Sequence, residues 1–222
     1  MEFKYNKHLA MNIDPWTVEL HGNLKCGLSL RVDNVLDDVK KDIFYGGTVR
    51  SWMNNETQVF LPAINCDVVY IFTHILQHFY KGGIGLRQIC DWSRLLWTYY
   101  DQIDKASLER RLKKMRLMTE GKAFGSFAVD YLGMDKERMP FYSENSKWNR
   151  KASTIGSFII EVGNFGHNRV VCRNDHYIMR KIISFRQRFG DLIRHARVFP
   201  LNSFRFMFGI TYKGLSAVLR GE

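Results

Sequence analysis

The stretch NCDVVYIFTHILQHFYKGG, residues 65–83, decides the fold, because the pattern of the chain changes here from strands to helices. It follows Pro62 and predicts a helix over 65–81. Asn65 is a candidate N-cap residue, and the Gly82-Gly83 pair is a common helix stop. We therefore expect one architecture before this stretch and another after it.

Residues 1–62 are predicted to be rich in β-structure. FKYNKHLAM (3–11) and TVELHGNL (17–24) read as paired strands around a turn at Pro15. VRSWMNNETQVFLP (49–62) reads as a hairpin around Asn54-Asn55, since asparagine tolerates the positive φ that such turns need. DNVLDDVKKDIF (33–44), between them, is amphipathic and predicts a helix capped by Asp33 or Asn34.

The rest of the chain is predicted to be helical. LRQICDWSRLLWTYYDQ (86–102) has apolar residues at helical spacing, and DKASLERRLKKMRLM (104–118) opens with an Asp104 cap and carries a dense basic face. A further helix ends at Gly133, and three more are expected at about 146–162, 174–196 and 201–219. The predicted fold is α+β: a small mixed or antiparallel β part (1–62) followed by a mainly α-helical bundle (63–222).

The composition of the chain limits the classes of function that it could have. The 222 residues carry a net charge of +11, which favours a polyanionic partner such as nucleotide or nucleic acid. The four cysteines form no C-x-x-C pair, so we expect buried free thiols rather than a zinc or redox motif. The N-terminus has no apolar signal core and no long apolar run follows, so we expect a cytoplasmic protein without a membrane span.

Two pairs of side chains stand at spacings that could carry chemistry. Glu19 and His21 lie two residues apart on a predicted strand and so share one face, either toward solvent or in a metal or nucleotide site. His74 and His78 lie one turn apart on a predicted helix, which suits a metal or substrate site as well as hydrogen bonds to neighbouring elements. There is no H-E-x-x-H pattern.

Two loops are also candidate sites. The glycines of GGIGLRQICDW (82–92) and Arg87 could hold a phosphate at a helix N-terminus, or form only a tight turn. Asp91 could pair with Arg87, or face inward and orient His74 or His78. In EVGNFGHN (161–168), Asn164 is a candidate substrate contact, and a helix C-cap is the alternative.

The C-terminal helices offer a basic face that could meet phosphates or could be a solvated surface over an apolar stripe. Its members are Arg180, Lys181, Arg186, Arg188, Arg194 and Arg197, interleaved with Phe and Ile. The chain contains no P-loop, Rossmann fingerprint or nucleophile elbow.

VELH (18–21), THILQHFYKGGIGLRQICDW (73–92), YLGM (131–134) and GNFGHN (163–168) occur in the order found in a known family. The chain thereby resembles the uncharacterised nucleotidyltransferase family of the DNA-polymerase-beta-like superfamily over nearly its whole length. The resemblance implies transfer of a nucleotidyl group from an NTP to a hydroxyl of an unknown acceptor. Each motif alone is weak, and the combination is fairly specific.

The resemblance also implies roles for individual residues. Glu19 matches the third carboxylate of the family, a ligand of Mg²⁺ or a base, and His21 is the imidazole that accompanies it. His74, His78, Arg87, Asp91 and Asn164 would line the acceptor or phosphate side. The glycine-serine turn and the D-x-D pair of the family should lie well upstream of Glu19, where this sequence has no room for them, so we expect 1–62 to match only part of the transferase fold. Because each Mg²⁺ wants several oxygen ligands, we expect weak or no transferase activity.

Two other functions compete with catalysis. The chain could be a non-catalytic binding module that holds nucleic acid or an acidic protein on its basic helices. It could also be a helical adaptor whose partner supplies the missing catalytic segment and covers an exposed strand edge in the first sixty residues. Whether the chain is an enzyme stays open at this point.

Overall fold

The N-terminal part consists of two separate β-hairpins with a helix between them. In the computed structural model, which describes residues 8–163 and 177–219, β1 (His8–Ile13) pairs antiparallel with β2 (Trp16–His21). Likewise β3 (Val49–Asn54) pairs antiparallel with β4 (Thr57–Pro62). Asn55 sits in the β3–β4 turn with φ of 53°, as the hairpin prediction required. The antiparallel form of the predicted β part is therefore confirmed.

The remaining elements are helices, as predicted. Their bounds are α1 (Leu30–Tyr45), α2 (Ile64–Lys81), α3 (Leu86–Thr98), α4 (Lys105–Met115), α5 (Met118–Leu132), α6 (Ser146–Val162), α7 (Tyr177–Val198) and α8 (Pro200–Leu219). The predicted α+β class is confirmed, because two small sheets lead into a predominantly helical structure. The proposed division into domains 1–62 and 63–222 stays a prediction.

Two predicted helix caps are wrong because the helices begin earlier than expected. Ser29, not Asp33 or Asn34, caps α1 by accepting the backbone N–H of Val32. Asp33 instead accepts the N–H groups of Cys26 and Gly27, each at 3.0 Å, and holds the preceding loop against the helix.

Helix α2 follows Ala63, so Asn65 lies inside its first turn. The Asn65 amide exchanges two hydrogen bonds with the backbone of Asp104, at 2.9 and 3.1 Å, and so joins α2 to the start of α4. Asp104 itself caps α4 as predicted, because its carboxylate accepts the N–H of Ser107 at 2.9 Å.

The β1–β2 hairpin presents an apolar face to solvent. Its register places Met11 opposite Val18 and Ile13 opposite Trp16, and these four side chains are 37–71% exposed. Strand alternation puts such directly opposed pairs on one face, and an isolated two-stranded hairpin is marginally stable in water. Packing against the core therefore contributes little to this hairpin.

The β3–β4 hairpin is tied to the helices by one arginine. The Arg50 guanidinium forms an ion pair with Asp67 of α2, donates to the Pro62 carbonyl at 2.8 Å and lies 4.7 Å from the centre of the Tyr99 ring. Burial raises the pKa of Asp67, and the charge of Arg50 acts in the opposite direction. One side chain thus connects β3, β4, α2 and the end of α3.

Helix α2 is the centre of the core. Eleven of its eighteen residues are buried, and it contacts α1, α3, α4 and α7. Phe79 lies with its ring centre 5.5 Å from Phe124 of α5, 5.1 Å from Phe158 of α6 and 4.5 Å from His195 of α7. Aromatic pairs at these separations stabilise beyond the area that they bury. Phe79 therefore joins four helices at one point.

The cysteines are partly as predicted. Cys26 and Cys66 are buried and form no disulfide bond, which confirms the expectation for those two thiols. Cys90 is free but exposed, so the prediction of burial is wrong there, because this position lies on the outer side of α3. Cys172 lies outside the described residues. In the described part of the chain, no helix combines the length and apolar content needed to span a bilayer.

Truncation of the central ring should be costly. Phe79→Ala should lower the free energy of unfolding by about 3–5 kcal/mol, because it removes a buried aromatic ring and leaves a cavity between four helices. Phe44→Ala, at a position that is 69% exposed, is the matched control and should change stability by less than about 0.5 kcal/mol. Urea denaturation followed by circular dichroism measures both, and equal losses would contradict the central role of Phe79.

Candidate functional site

The first predicted pair, Glu19 and His21, lies on β2 as expected. The strand register places Glu19 opposite Ala10 and His21 opposite His8 of β1. Their side chains are outside the described part of the structure, so the role of Glu19 and His21 stays a prediction. The backbone does confirm that a strand carries both residues two positions apart, which was the basis of that prediction.

The second predicted pair, His74 and His78, meets on one face of α2. Their Nε2 atoms are 3.0 Å apart and the ring centres 4.4 Å apart. At that distance one Nε2 donates and the other accepts, so at least one ring must be neutral. Both side chains are half-buried. The two Nε2 atoms can therefore contact a ligand only after this mutual hydrogen bond rearranges.

Arg87 and Asp91 lie on the outer surface of α3. The Arg87 Nε atom is 3.8 Å from an Asp91 carboxylate oxygen, and the side chains are 92% and 67% exposed. The ion pair is thus the arrangement found, and the alternative with Asp91 facing inward toward His74 or His78 is wrong. An exposed pair of this kind is screened by water and contributes little to stability.

Two of the predicted loops meet in the fold. Gly83 has φ of +101°, and a Cβ there would lie 2.6 Å from the Gly163 carbonyl oxygen and 2.7 Å from Val162. Only glycine fits, because both the backbone conformation and the close approach exclude a side chain. The end of α2, which carries His78, therefore packs against the end of α6. Asn164, the next residue along the chain, lies outside the described residues.

The magnesium site that the family resemblance implies can be compared with the metal-binding side chains of the described residues. Within residues 8–163 and 177–219, no group of three or more His, Cys, Asp and Glu side chains is placed to hold a metal ion. Mg²⁺ takes an octahedral set of oxygen ligands, and Glu19 would supply one carboxylate. The described residues do not by themselves form a complete magnesium site.

A charged cluster that sequence reasoning missed surrounds a cavity of about 590 Å³, which we call the basic cavity. Five cationic side chains line it: Lys113 and Arg116 at the end of α4, Lys147 and Lys151 on α6, and Arg205 on α8. The dense basic face predicted for α4 was a partial signal. The contributions of α6 and α8 could not be found from spacing, because these helices lie far along the chain from α4.

One carboxyl group, that of Glu120 in the first turn of α5, also lines the basic cavity. It is 1% exposed, and its Oε1 accepts hydrogen bonds from the Tyr80 hydroxyl at 3.2 Å and the Asn202 amide at 2.6 Å. Its Oε2 is buried and has no hydrogen-bond partner among the described residues. Burial raises the pKa of Glu120, while the bonds from Asn202 and Tyr80 and the charge of Lys151 oppose that rise.

Comparison with known proteins matches residues 4–131 to the family of uncharacterised nucleotidyltransferases. The match covers more than half of the chain. The chain belongs to this family. The matched segment runs from the first hairpin through nearly all of α5, so it includes Glu19, His21, His74, His78, Arg87 and Asp91. No curated protein and no solved structure matches the chain.

Membership in the nucleotidyltransferase family confirms the resemblance seen in the sequence and supports a nucleotidyltransferase-like function in general terms. The matched segment ends before α6, so Lys147, Lys151 and Arg205 of the basic cavity lie beyond it. The cavity is therefore built from elements on both sides of the end of the family match.

The buried carboxyl should make stability depend on pH. The pKa of Glu120 is raised above its ordinary value of 4.5 in the folded state, so burial favours the protonated form. The contribution of the Glu120 carboxyl to the free energy of unfolding is complete below pH 4.5. It is lost as the pH rises through the higher pKa of the folded state. Glu120→Gln keeps an oxygen for Tyr80 and Asn202 but cannot ionise.

We therefore expect the stability of the native chain relative to Glu120→Gln to fall as pH rises above 4.5 and then to level off. Urea unfolding of both proteins across a pH series measures this difference. A constant difference between the two proteins at all pH values would contradict a raised pKa.

Proposed function

We propose that this protein transfers a nucleotidyl group from an NTP to a hydroxyl of an acceptor, at a low rate because the D-x-D pair is missing, with Glu19 as a magnesium ligand or base. In this reaction the acceptor oxygen forms a bond to the α-phosphorus, the bond to the β-phosphate bridging oxygen breaks, and pyrophosphate leaves. The hydroxyl proton passes to a base. The family match over residues 4–131 carries the proposal, and the formed β2 strand with Glu19 and His21 supports it.

The remaining predicted residues take supporting roles in this proposal. His74 and His78 would offer ring nitrogens near the end of α2. Asn164 would add a substrate contact, as the resemblance implies. Arg87 and Asp91 form an exposed polar pair at the start of α3 that could meet an acceptor from solvent. Mg²⁺, when bound, would neutralise charge on the nucleotide phosphates. Buried thiols without a disulfide bond at Cys26 and Cys66 support a cytoplasmic location.

The test replaces the carboxylate that the proposal needs. Glu19→Gln should lower Mg²⁺-dependent release of pyrophosphate from a mixture of NTPs by at least about 100-fold, since the neutral amide is a poor base and a weak metal ligand. Glu56→Gln, an exposed glutamate in the β3–β4 turn, is the matched control and should leave the rate unchanged. We expect a low rate for the native chain, because Glu19 is the single carboxylate assigned.

Two results would contradict the proposal. One is the same rate for Glu19→Gln and Glu56→Gln, which would show that Glu19 takes no part. The other is the absence of any Mg²⁺-dependent pyrophosphate release by the native chain, which would exclude catalysis by this chain and favour a binding role.

A second candidate function is polyanion binding through the basic face of α7. Arg186, Arg194 and Arg197 are exposed there, and Arg194 also pairs with Glu161 of α6 at 2.8 Å. The side chains of Arg180, Lys181 and Arg188 lie outside the described residues. Exposed guanidinium groups on one helix are suited to the phosphates of a nucleic acid.

Salt dependence tests this second function. If three phosphates are neutralised, affinity for single-stranded DNA should fall by roughly tenfold or more when the salt concentration rises fourfold. Arg186→Gln with Arg197→Gln should weaken binding and flatten the slope, whereas Arg94→Gln, an exposed arginine on α3, should change neither. Binding that is insensitive to salt would contradict the role of the α7 face. Fluorescence anisotropy of a labelled oligonucleotide provides the measurement.

A further inference from the structure

The basic cavity concentrates positive charge at the junction of four helices. Five cationic side chains face one carboxyl group around about 590 Å³ of space, although none of these helices carries the cluster alone. Like charges brought together in this way repel, and burial together with the charge of Lys147 lowers the pKa of Lys151. An anion bound in the cavity would reduce the repulsion between the cations and would favour the charged form of Lys151.

Two of the five cationic side chains, those of Lys151 and Arg205, are held in position by specific contacts. Lys151 donates to the Val198 carbonyl, and Arg205 donates to the Asn202 side-chain oxygen at 3.1 Å. Asn202 in turn donates to Glu120 at 2.6 Å and to the Arg116 carbonyl at 3.2 Å. This connected set joins α4, α5 and α8 at the wall of the cavity. A fixed arrangement of this kind reduces the ordering cost of binding a ligand.

The backbone adds further attraction for an anion. Helices α5 and α8, of 15 and 20 residues, both begin at the cavity wall, where Met118, Thr119, Pro200 and Leu201 line it. Leu117, the N-cap residue of α5, has an apolar side chain and makes no capping hydrogen bond. The N–H groups of a first helical turn and the helix dipole favour negative charge.

Glu120 distinguishes this cavity from a purely cationic groove. Its Oε2 is buried in the wall and has no hydrogen-bond partner in the described structure, which is a costly state for a carboxyl oxygen. A ligand hydroxyl that donates to this oxygen would satisfy it. The cavity thus combines cations for a phosphate with an acceptor for a neighbouring hydroxyl.

The size and lining of the cavity favour a small molecule over nucleic acid. Its volume falls in the usual range for sites of small ligands, and Met118, Phe199 and Leu201 add apolar surface to the polar groups. Nucleic-acid surfaces instead spread their cations along a stripe or groove. Here the cations converge on one concavity.

We propose that the basic cavity binds a small phosphorylated molecule that also carries hydroxyl groups, such as a sugar phosphate. Its phosphate is held by Lys147, Arg205 and Arg116 at the helix ends, and one of its hydroxyls donates to Oε2 of Glu120. The residues of this site differ from those assigned to nucleotidyl transfer, so the two proposals can be tested separately.

Calorimetric titration of the full chain tests the proposal with four probes: inorganic phosphate, ribose 5-phosphate, ribose and a short single-stranded oligonucleotide. We expect ribose 5-phosphate to bind more tightly than inorganic phosphate, because it adds the hydroxyl contact, and ribose not to bind. Lys147→Gln should weaken binding of ribose 5-phosphate by about tenfold, since it removes one charge-assisted contact. Arg150→Gln is the matched control, because Arg150 is an exposed cation on the same helix that does not line the cavity.

Two further variants separate the parts of the site. Glu120→Gln should reduce the advantage of ribose 5-phosphate over inorganic phosphate, because the amide nitrogen that replaces Oε2 cannot accept a hydrogen bond. Arg116 has φ of 58°, a left-handed conformation that glycine adopts without strain. Arg116→Gly should therefore raise the melting temperature while it weakens phosphate binding, an outcome that a purely structural role for Arg116 does not produce.

Three results would overturn the proposal. The first is no binding of either phosphate compound by the native chain. The second is an equal loss of affinity in Lys147→Gln and Arg150→Gln, which would indicate a general charge effect. The third is an oligonucleotide that binds more tightly than ribose 5-phosphate and loses affinity equally in both variants, which would identify a nucleic-acid surface. Since both substitutions are at exposed positions of α6, loss of folding does not obscure the comparison.

Discussion

The packing of α2 against its neighbours is the constraint on which the rest of the structure depends. Phe79 brings α5, α6 and α7 to one point through its ring contacts. Two turns earlier on α2, Phe72 stacks on Trp92 of α3, with the ring centres 4.9 Å apart. Because interiors are close-packed, the rings can interdigitate in few ways. The relative positions of the helix ends therefore follow from this contact.

The basic cavity and the pair of His74 and His78 are both positioned by this core packing. Tyr80, next to Phe79, donates its hydroxyl to Glu120 and so places a carboxyl at the wall of the basic cavity. His78, on the other side of Phe79 in the sequence, meets His74 one turn earlier on α2, and the loop after the helix packs Gly83 on Gly163. Helix α2 thus holds Glu120 of the cavity wall through Tyr80 on its buried side and presents the histidine pair on another face. Helix periodicity makes this division possible.

The N-terminal hairpins stand in a different relation to the core. Arg50 ties β3–β4 to α2 through Asp67, whereas β1–β2 exposes an apolar face that includes Trp16 at 71%. Apolar side chains collected on one exposed face are typical of surfaces that meet another molecule. Glu19, the residue proposed as a magnesium ligand or base, lies on the β1–β2 hairpin. Its position therefore depends less on the helical core than do the positions of the residues that line the basic cavity.

Local pattern alone determined much of this protein. Residues a few positions apart predicted the hairpin at Asn54-Asn55, the Asp104 cap and the helix stops at Gly82 and Gly133. The order of short motifs indicated the family. The tertiary structure alone decided which surfaces meet. It turned Asp91 outward, moved the cap of α1 to Ser29, and gathered Lys113, Lys147 and Arg205 around one buried carboxyl. Lys113 and Arg205 line the same cavity although they lie 92 positions apart along the chain, and their placement depends on helix packing that no short spacing encodes.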